Sequence, residues 1–497
     1  MSDSYDVDLL VLGAGSAGLT AAGTGANFGA QTMLVERARL GGDCTWIGCV
    51  PSKTLLHAAD LRASAQAYLD RFGGGGEAPP ADFAAVMGDL HATRQEVYDD
   101  ADDPSIYEAF GVEVVKGDGR FTGPHAVRID LEGGGTRDVT FRLAVICTGG
   151  RAAPPPIPGL DETPYLTNET LFEITEQPEH LVVIGAGSIG CEMGQAFRRL
   201  GSRVTVIDRS DHLLGKDDPD HAAILRGVLE DEGVEFVLGA DVDRVEPQAG
   251  GGGVVVHVTQ GGESRAIEGD RLLVATGRQP NVEGVGLEAA GISYTKKGIT
   301  VDDRCRTNLD HVWAAGDCTG EYALTHMSEH MAKQAVTNAV LKVPAAIDRD
   351  GITWTTFTSP EVAQVGKTQA ELEEDGTSFV TYRFPYSKVD RAVTEHAETG
   401  HIKIHATKWL GTILGASVVG ARAGELISIY GVAMKAGVSV REIADTIFPY
   451  PTYGLGARRA ADQYYIQKQY PLAIKAVKKV FGYSGATPPP PDPDRVV

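Results

Sequence analysis

The stretch Asp6-Val-Asp-Leu-Leu-Val-Leu-Gly13-Ala-Gly15-Ser-Ala-Gly18 decides the fold of this chain. Its apolar residues predict a short buried strand that enters a glycine-rich turn, and the small residues that follow predict a helix. A second strand runs from Gln31 to Val35 and ends at Glu36. This order of strand, glycines, helix, strand and acid is typical of a dinucleotide-binding βαβ unit. The glycines let the backbone approach a pyrophosphate at the helix N-terminus, and Glu36 would accept hydrogen bonds from a ribose.

The same unit recurs later in the chain at an offset of 172 residues. Leu181-Val-Val-Ile-Gly185-Ala-Gly187-Ser-Ile-Gly190 predicts another strand and glycine turn, and a further strand ends at Asp208. Gly13 and Glu36 are 23 positions apart, as are Gly185 and Asp208. Chance repetition in one register is improbable, so the chain is expected to bind two nucleotides.

Two neighbouring side chains bear on the choice between NAD and NADP. The carboxylate of Asp208 would accept hydrogen bonds from a free ribose 2′-hydroxyl and would repel a 2′-phosphate. Arg209, the next residue, could instead accept that phosphate. The sequence therefore favours NAD and leaves NADP possible.

Two buried strands end in Thr-Gly turns, and a third apolar segment ends in an acid. Leu143-Ala-Val-Ile-Cys-Thr148-Gly149 precedes the proline cluster 154–158, which indicates a linker. Leu272-Leu-Val-Ala-Thr-Gly277 closes the second unit. We expect Thr148, Gly149 and Gly277 to contact cofactors. Asp317 follows a short strand and a glycine, and this spacing alone indicates only a helix N-cap.

Gly41-Gly-Asp-Cys-Thr-Trp-Ile-Gly-Cys-Val-Pro-Ser-Lys53 follows the first unit directly. On a regular helix the Cα atoms of Cys44 and Cys49 would be about 8.5 Å apart, beyond the ~7 Å that a disulfide allows. Gly48 relaxes the backbone, and Pro51 removes one helical hydrogen bond and clashes with the carbonyl four residues earlier. This distorted turn predicts a bridge that is made and broken during turnover, in preference to two buried structural thiols.

Composition places the chain among soluble proteins of about two to four domains. It has 497 residues, of which 42% are hydrophobic and 23% charged. The net charge of −22, from 45 basic and 67 acidic residues, argues against nucleic acid or an anionic membrane as a partner. Six cysteines are too few for a secreted scaffold. Because the N-terminus lacks a signal-peptide pattern and no apolar run reaches the ~18 residues of a membrane span, we expect a cytoplasmic protein.

The region after about Val343 changes character. Short alternating segments, among them Ile413 to Gly420, predict an antiparallel sheet. Helices are expected from 424 to 436 and from 456 towards 481, as they are earlier in the chain from 55 to 72 and from 82 towards 110. From Gly482 onwards the proline-rich sequence predicts a disordered tail.

Together these motifs resemble the FAD-dependent pyridine nucleotide-disulfide oxidoreductases, the family of glutathione reductase, dihydrolipoamide dehydrogenase and mercuric reductase. The pattern GGxCxxxGCxPSK is highly specific to that family. The resemblance implies an α/β chain with two Rossmann-like nucleotide-binding domains and a C-terminal α+β dimerisation domain, working as a homodimer. The implied boundaries are an FAD-binding domain over 1–155 and 281–345, an NAD(P)-binding domain over 156–280, a dimerisation domain over 346–481 and a disordered tail over 482–497.

The resemblance also implies a role for each matching residue. Cys49 would lie against the flavin as the charge-transfer thiolate, and Cys44 would exchange with substrate. Lys53 and its carboxylate partner Glu192 would lie beside the reactive flavin nitrogen, where the ammonium favours the thiolate. The residues predicted to contact FAD are Gly13, Gly15, Gly18, Glu36 and Asp317. Those predicted to contact the nicotinamide nucleotide are Gly185, Gly187, Gly190 and Asp208.

The chain departs from most of the family near its C-terminus. Where the family carries His-Pro-Thr-x-x-Glu, this sequence reads Tyr450-Pro-Thr-Tyr-Gly-Leu455. A phenol, with a pKa of about 10, is a poor proton shuttle at neutral pH, whereas an imidazole is well suited. Phe-Pro-Tyr followed by threonine is similar to mercuric reductase, in which that tyrosine helps to handle the metal. The terminal cysteine pair of mercuric reductase is missing, because no cysteine follows Cys318.

Three functions remain as alternatives. We predict an enzyme that passes electrons from NAD(P)H through FAD and the Cys44–Cys49 disulfide to a metal ion such as Hg(II) or a small electrophile. A disulfide acceptor is the second alternative. A non-enzymatic flavin redox sensor or scaffold is the third. Tyr450 is either catalytic or a filler for the missing histidine.

The other candidate ligands do not form a predicted metal site. Cys305 and Cys318 lack the ligand spacing of such a site. His396, His401 and His405 are close in sequence, but alternation along a strand explains their spacing. The thiols expected to be inert in the core are those of Cys147 and Cys191.

Overall fold

The structure is a computed structural model that describes residues 5–248 and 250–486, without the side chains of 468–472 and 475. Most of the predicted tail, 487–497, lies outside the described residues, and 482–486 form neither helix nor strand. Within the described ranges, no helix is long and apolar enough to cross a membrane.

The first nucleotide-binding unit is built on a mostly parallel sheet. In chain order its elements are β1 (Val7–Leu12), α1 (Ser16–Asn27), β2 (Thr32–Glu36), α2 (Gly42–Trp46), α3 (Cys49–Phe72), α4 (Phe83–Val97), α5 (Pro104–Ala109), β3 (Glu113–Gly123), β4 (Ala126–Leu131), β5 (Thr136–Ile146) and β6 (Gly150–Ala152). β3, β2, β1 and β5 run parallel in that order, and the far ends of β3 and β5 pair antiparallel with β4.

The second unit repeats this design on a smaller scale. Its elements are β7 (His180–Ile184), α6 (Ser188–Leu200), β8 (Arg203–Asp208), α7 (Pro219–Asp231), β9 (Val234–Leu238), β10 (Ala240–Pro247), β11 (Val254–Gln260), β12 (Glu263–Gly269), β13 (Arg271–Val274) and β14 (Arg278–Pro280). β13, β7, β8 and β9 form a parallel sheet, β10 to β12 form an antiparallel one, and β14 pairs with β6 of the first unit.

The chain then returns to the first unit. The elements of this return are α8 (Leu287–Ala290), β15 (Tyr294–Thr295), β16 (Gly298–Ile299), β17 (Val312–Ala314) and α9 (Thr325–Val336). β17 pairs parallel with β5, so residues far apart in sequence complete one sheet. The two-part first unit expected from the sequence is therefore visible in the strand order, and the residue numbers of the domain boundaries stay a prediction.

The C-terminal unit is a five-stranded antiparallel sheet with helices. It comprises β18 (Thr353–Thr356), β19 (Glu361–Gly366), α10 (Gln369–Glu374), β20 (Phe379–Pro385), α11 (Asp390–Glu395), β21 (His401–Thr407), β22 (Ile413–Gly420), α12 (Ala423–Ala436), α13 (Val440–Asp445), α14 (Tyr453–Tyr464) and α15 (Tyr470–Phe481). The strand order is β18, β19, β22, β21, β20. The α/β class and the α+β character of this unit are thus confirmed.

One helix predicted as continuous is divided. α4 is followed directly by a π turn over Tyr98–Asp102, and the helix ends there because Pro104 cannot continue it and instead begins α5, with Asp103 as its N-cap. The helix expected from 456 towards 481 is present without a break, because a π turn over Tyr465–Gln469 joins α14 to α15. The division before Pro104 moves no predicted site residue.

Steric crowding explains the glycine spacing of both nucleotide units. A Cβ atom at Gly18 would lie 1.7 Å from the carbonyl oxygen of Gly13, and one at Gly190 would lie 1.8 Å from that of Gly185. Gly13 and Gly185 also adopt φ angles of +95° and +113°, which favour glycine. The first and third glycines of each motif therefore let the helix start close against the strand.

A buried ion cluster joins the second unit to the C-terminal sheet. Lys403 on β21 is 1% exposed, and its ammonium lies 2.7 and 2.9 Å from the two oxygens of Asp218 and 2.6 Å from Asp220. Asp218 is also the N-cap of α7. A buried ammonium of this kind depends on close carboxylates to offset its loss of hydration.

The histidines near this cluster are packed in the interface. His401 Nε2 lies 2.9 Å from His221 Nε2 on α7, and His405 Nδ1 lies 2.9 Å from Thr381 Oγ1. Burial lowers the pKa of both His401 and His405 to about 4. His396 does not lie on the strand; it ends α11 in a left-handed conformation, which corrects the predicted alternation. Among the described residues, no group of three or more histidine, cysteine or acidic side chains could hold a metal ion.

The buried ion cluster predicts a large stability effect. Lys403→Met would leave the buried carboxylate of Asp218 without its cation, so the free energy of unfolding should fall by about 3–5 kcal/mol. Scanning calorimetry of the FAD-loaded protein would show this as a lower unfolding midpoint.

Lys367→Met is the matched control, because that ammonium bonds to Asp375 at 2.6 Å on the surface. Its loss should leave the unfolding midpoint almost unchanged, because an exposed ion pair contributes little to stability. Equal midpoints for the two variants would contradict the structural importance of the buried cluster.

Candidate active site

The turn with the two cysteines is divided between two helices. α2 ends at Trp46, Ile47 and Gly48 leave the helical region with φ angles of −139° and −135°, and α3 begins at Cys49. A Cβ atom at Gly48 would lie 2.8 Å from the carbonyl oxygen of Asp43, so glycine is required at this break. The distortion predicted from Gly48 is present.

The role predicted for Pro51 is wrong. It is the third residue of α3, and the first four N–H groups of a helix have no partner within that helix. The proline therefore fits the first turn without breaking it.

The cysteine turn packs against the first glycine turn. The N–H of Gly41 donates to the carbonyl oxygen of Ala14 at 2.9 Å. A Cβ atom at Gly42 would lie 2.7 Å from the Cα of Gly15. These contacts place Cys44 beside the first nucleotide site, as the sequence predicts.

Both cysteines are thiols in this structure, and they differ in acidity. The hydrogen bond from Cys44 lowers the pKa of Cys49 to about 6, with smaller contributions of the same sign from Thr325 and Lys53, against the opposing effect of burial. The same hydrogen bond, together with burial, raises the pKa of Cys44 above that of a free thiol. The N-terminal position of Cys49 on α3 also favours the thiolate.

Thr325 is a site residue that the sequence analysis missed. Its Oγ1 lies 3.2 Å from the Cys49 sulfur, and it is the first residue of α9. Because 276 residues separate the two, no local pattern could indicate the contact.

Lys53 and Glu192 form the ion pair that the family resemblance implies. Lys53 Nζ lies 2.8 Å from Glu192 Oε2, and the glutamate side chain is only 6% exposed. The other oxygen of Glu192 accepts the N–H of Phe357 at 2.9 Å. The ring centroid of Phe357 is 4.5 Å from the same ammonium, so Lys53 contacts both a carboxylate and an aromatic ring.

A second ion pair shows how the helices that carry this pair are oriented. Asp60, seven residues after Lys53, bonds to Arg199, seven residues after Glu192. Two pairs with the same spacing on α3 and α6 mean that the helices run parallel. Their N-termini therefore open at the same end, where Cys49 begins one helix and the second glycine turn begins the other.

Both glycine turns and the cysteines open on one cavity of about 3150 Å³. A pocket for one small molecule has about 300–1,000 Å³, so this cavity has room for more than one nucleotide. The predicted residues that line it are Gly13, Gly15, Glu36, Cys44, Cys49, Lys53, Thr148, Gly149, Gly185, Gly187, Glu192, Asp208, Gly277 and Asp317.

Two predicted contact glycines do not line the cavity. Gly18 and Gly190 lie behind their turns, where the crowding described above requires them. Their predicted contact with a cofactor is therefore corrected to a packing role. The middle glycines are less crowded, because a Cβ atom at Gly187 would meet no atom within 4 Å and one at Gly15 would meet only the Cα of Gly42, at 3.8 Å.

The two acids at the strand ends brace the glycine turns. Glu36 accepts the N–H groups of Ala14 and Ala38, each at 2.7 Å. Asp208 accepts those of Ala186 at 2.6 Å and Ser210 at 2.8 Å. A carboxylate has about four lone-pair sites, so each acid can still accept a ribose hydroxyl. Each glycine turn therefore offers an uncrowded middle glycine and a helix N-terminus for a pyrophosphate, and a carboxylate with free lone pairs for a ribose. These features fit two dinucleotides.

Asp317 is not a helix N-cap. It is the first residue of a 3₁₀ turn and pairs with Arg278 Nε at 3.2 Å. Arg278 also bonds to Asp43, next to Cys44. Burial raises the pKa of Asp317. Arg278 directly follows Gly277, so the motif Thr-Gly-Arg contained a signal for it that the sequence analysis did not use.

The Thr-Gly turns join the two nucleotide units. Thr148 Oγ1 donates to the carbonyl oxygen of Asn281 at 2.7 Å, and Asn281 Nδ2 donates back to that of Thr148 at 2.9 Å. The Thr148 hydroxyl group is therefore used in the contact with Asn281. Gly149 and Gly277 adopt φ angles of +68° and +142° without steric contact at Cβ, so they leave the cavity wall open.

Tyr450 lies apart from the cysteines of its own chain. Its side chain is on the surface of the C-terminal unit and 70% exposed, and it does not line the large cavity. Leu455, at the position of the family's glutamate, is buried in the first turn of α14.

Four of the cysteines are placed away from the turn. Burial is the largest cause of a raised pKa in each, so their thiols are inert, as predicted for two of them. These four residues are Cys147, Cys191, Cys305 and Cys318.

Two family models match consecutive parts of the chain. The model described as pyridine nucleotide-disulphide oxidoreductase matches residues 7–332, and the dimerisation domain of the same family matches residues 352–460. The chain belongs to the pyridine nucleotide-disulphide oxidoreductases. Members of this family are NAD(P)H-dependent flavoproteins with a redox-active disulfide, so FAD and NAD(P)H are the cofactors that the two glycine turns fit.

Relatives with different substrates are equally similar to this chain. The mercuric reductase of Bacillus cereus is 33% identical over 461 residues, which are 92% of this chain and 71% of that protein. The dihydrolipoyl dehydrogenase of Geobacillus stearothermophilus is also 33% identical over 461 residues, 92% of this chain and 96% of that protein. Sequence identity therefore does not decide the electron acceptor.

Solved structures of oxidoreductases share the fold. LpdA of Mycobacterium tuberculosis has a TM-score of 0.84 and 28% identity, with 92% of this chain and 99% of that chain covered. The Cu(II) complex of the HOCl-induced flavoprotein disulfide reductase RclA of Escherichia coli has a TM-score of 0.80 and 27% identity, with 93% and 99% covered.

The acidity of Cys49 predicts a spectroscopic pH profile. In FAD-loaded Cys44→Ser, the charge-transfer absorbance of the Cys49 thiolate should appear as the pH rises through about 6. A thiolate forms above its pKa, so a free thiol would show the same change near pH 8.5.

Cys44→Ala is the matched control, because alanine cannot donate the hydrogen bond that serine retains. Its transition should lie at higher pH than that of Cys44→Ser. Coincident transitions, or transitions near the free-thiol value in both variants, would contradict the assigned hydrogen bond.

Proposed function

We propose that the chain is an NAD(P)H-dependent reductase of the mercuric reductase type, which delivers two electrons through Cys49 and Cys44 to a metal ion or a small electrophile. The observation that carries this proposal is the pair of thiols in the nucleotide cavity of a chain that has Tyr450 and Leu455 in place of histidine and glutamate. The assignment of the chain to the flavoprotein disulfide oxidoreductases does not depend on the choice of acceptor.

The cofactors and the chain would divide the chemistry. FAD, when bound, accepts a hydride from NAD(P)H and passes two electrons to the disulfide. Thr325 and Lys53 would hold Cys49 as a thiolate, and Cys44 would carry the proton of the pair towards substrate. Glu192 would fix the position of the Lys53 ammonium.

Two thiols can bind and reduce a soft metal ion without a histidine to transfer protons. Thiolates are preferred ligands of soft metals, so Hg(II) would bind as the thiols release their protons, and the Cu(I) formed by reduction of Cu(II) would suit the same sulfurs. Two electrons from the thiolates then reduce Hg(II) to Hg(0), or two Cu(II) to two Cu(I), and the sulfurs form the Cys44–Cys49 bond. The net reaction with mercury is NAD(P)H + Hg(II) giving NAD(P)⁺ + H⁺ + Hg(0). No proton has to be delivered to a leaving thiolate.

Two relatives lend support to a metal acceptor. One relative at 33% identity is a mercuric reductase, and one structural neighbour was solved as a Cu(II) complex. We further propose that the chain forms a homodimer, in which the exposed Tyr450 of one chain reaches the thiols of the other. The dimerisation-domain match and the 70% exposure of Tyr450 support this arrangement.

A disulfide acceptor is the second candidate. The dihydrolipoyl dehydrogenase relative matches over nearly its whole length, 96%, at the same identity as the mercuric reductase. This candidate requires another proton donor in place of Tyr450, since a phenol with a pKa of about 10 protonates a leaving thiolate poorly.

An anaerobic acceptor screen tests the proposal. NADH and NADPH oxidation would be followed with Hg(II), Cu(II), lipoamide and glutathione disulfide as acceptors. We expect turnover with a metal ion, faster with NADH, and little turnover with either disulfide. Cys44→Ser should abolish metal turnover, and Tyr450→Phe should lower it while bound FAD is still reduced by NADH.

Three outcomes would contradict the proposal. Full activity of Cys44→Ser would mean that electrons leave from the flavin. Fast turnover of a disulfide by the unmodified protein would favour the second candidate, and no turnover with any acceptor would favour a sensor. Disulfide turnover gained in Tyr450→His with Leu455→Glu would support the missing proton shuttle as the cause of selectivity.

A further inference from the structure

A short segment of the C-terminal unit lies along one face of α6. The N–H of Phe357 donates to Glu192 Oε1 at 2.9 Å, and the N–H of Ser359 donates to Gln195 Oε1 at 2.8 Å. Gln195 Nε2 donates back to the carbonyl oxygen of Ser359 at 2.7 Å, and Arg199 Nη2 reaches the same oxygen at 3.3 Å. Residues 192, 195 and 199 are spaced to share one helix face.

These contacts fit a single register of the segment on the helix. Both ends of the Gln195 amide are used, and both backbone groups of Ser359 are satisfied. Gln195 is 1% exposed and Glu192 is 4% exposed, so water cannot replace a lost partner easily. The segment is therefore held in place by buried hydrogen bonds rather than by general packing.

The seated segment presents an aromatic ring to the redox centre. Phe357 is 42% exposed and lines the large cavity, although it is a large apolar side chain. Its ring centroid lies 4.5 Å from Lys53 Nζ, the ammonium that also contacts the carboxylate of Glu192. An aromatic face beside an ammonium attracts the cation and restricts its movement.

We propose that Gln195 is a positioning residue for the redox centre: it seats Phe357–Ser359 on α6 and thereby holds the Phe357 ring against the Lys53 ammonium. The C-terminal unit thus contributes to the cysteine site of its own chain, in addition to any contribution to a partner. This inference rests on the role proposed for Lys53 beside Cys49.

Four groups on four helices face Cys49, and Gln195 is not among them. They are Cys44 on α2, Lys53 on α3, Glu192 on α6 and Thr325 on α9. Gln195 is uncharged, and the segment that it seats contacts two of these groups, Lys53 through the Phe357 ring and Glu192 through the Phe357 N–H. A substitution at Gln195 can therefore be tested for dependence on Lys53.

The test uses the charge-transfer absorbance of FAD-loaded Cys44→Ser against pH. Lys53→Gln should move the transition up by about one pH unit, the effect of losing a nearby opposite charge. Gln195→Met keeps the volume and loses all three hydrogen bonds of the amide, two to Ser359 and one to Glu232 at 3.1 Å, and should move it up by about half a unit. Phe357→Leu should move it in the same direction, and this exposed site should tolerate the change without loss of folding.

The deciding comparison is the double variant. If Gln195 acts through Lys53, Gln195→Met should add nothing in the Lys53→Gln background. The matched control is Gln369→Met on α10, where the side chain bonds only to the exposed Glu373 at 2.8 Å and no transition should move.

Two results would overturn the inference. In the first, Lys53→Gln moves the transition but Gln195→Met and Phe357→Leu leave it unchanged. In the second, Gln195→Met shifts the transition equally in the Cys44→Ser protein and in the Cys44→Ser, Lys53→Gln protein. If Lys53→Gln itself has no effect, the proposed role of Lys53 fails instead. Acceptor turnover is not used, so the choice of acceptor does not affect the result.

Discussion

The parallel packing of α3 on α6 is the constraint on which the site depends. Two ion pairs at equal spacing, Lys53 with Glu192 and Asp60 with Arg199, hold the helices in one register. Because the helices are parallel, both N-termini open on the same cavity. One N-terminus begins with a cysteine and the other with a glycine turn, so an anionic sulfur and a dinucleotide are favoured at neighbouring positions. Hydride chemistry and thiol chemistry can then take place within a single cavity.

Two largely buried basic side chains are each compensated by two carboxylates. Arg278 lies between Asp43 and Asp317, and Lys403 lies between two carboxylates at the junction with the C-terminal sheet. Each arrangement joins segments that are distant in sequence. Removing one member would leave an uncompensated buried charge, which costs more than a surface ion pair contributes. The units are therefore held at defined positions by electrostatics as well as by apolar packing.

Local patterns in the sequence were sufficient for the fold class, the two glycine turns and the broken helix at Gly48. Each of these depends on backbone sterics within a few residues, which spacing reports directly. The role of Pro51 was predicted wrongly, because a proline in the first turn of a new helix and one that breaks a helix look alike without knowing where the helix begins.

Residues brought together by tertiary structure could not be predicted. Thr325 and Phe357 contact the redox centre from elements more than 250 positions away from the cysteine turn, and nothing in their own surroundings marks them. Lys403 is a similar case, because its neighbours in sequence give no sign of the carboxylates on α7. The glycines Gly18 and Gly190 match a binding motif, yet only the three-dimensional crowding shows that they serve packing.

We propose that Cys44 and Cys49 form a disulfide that NAD(P)H reduces. Mass mapping after denaturation in iodoacetamide, with and without prior anaerobic NADH, distinguishes this disulfide from two free thiols. We predict that the peptide with Cys44 and Cys49 escapes alkylation before NADH and is alkylated at both sulfurs after it, whereas the four other cysteines are alkylated in both samples. Alkylation of Cys44 and Cys49 before NADH, or none after it, would contradict the account.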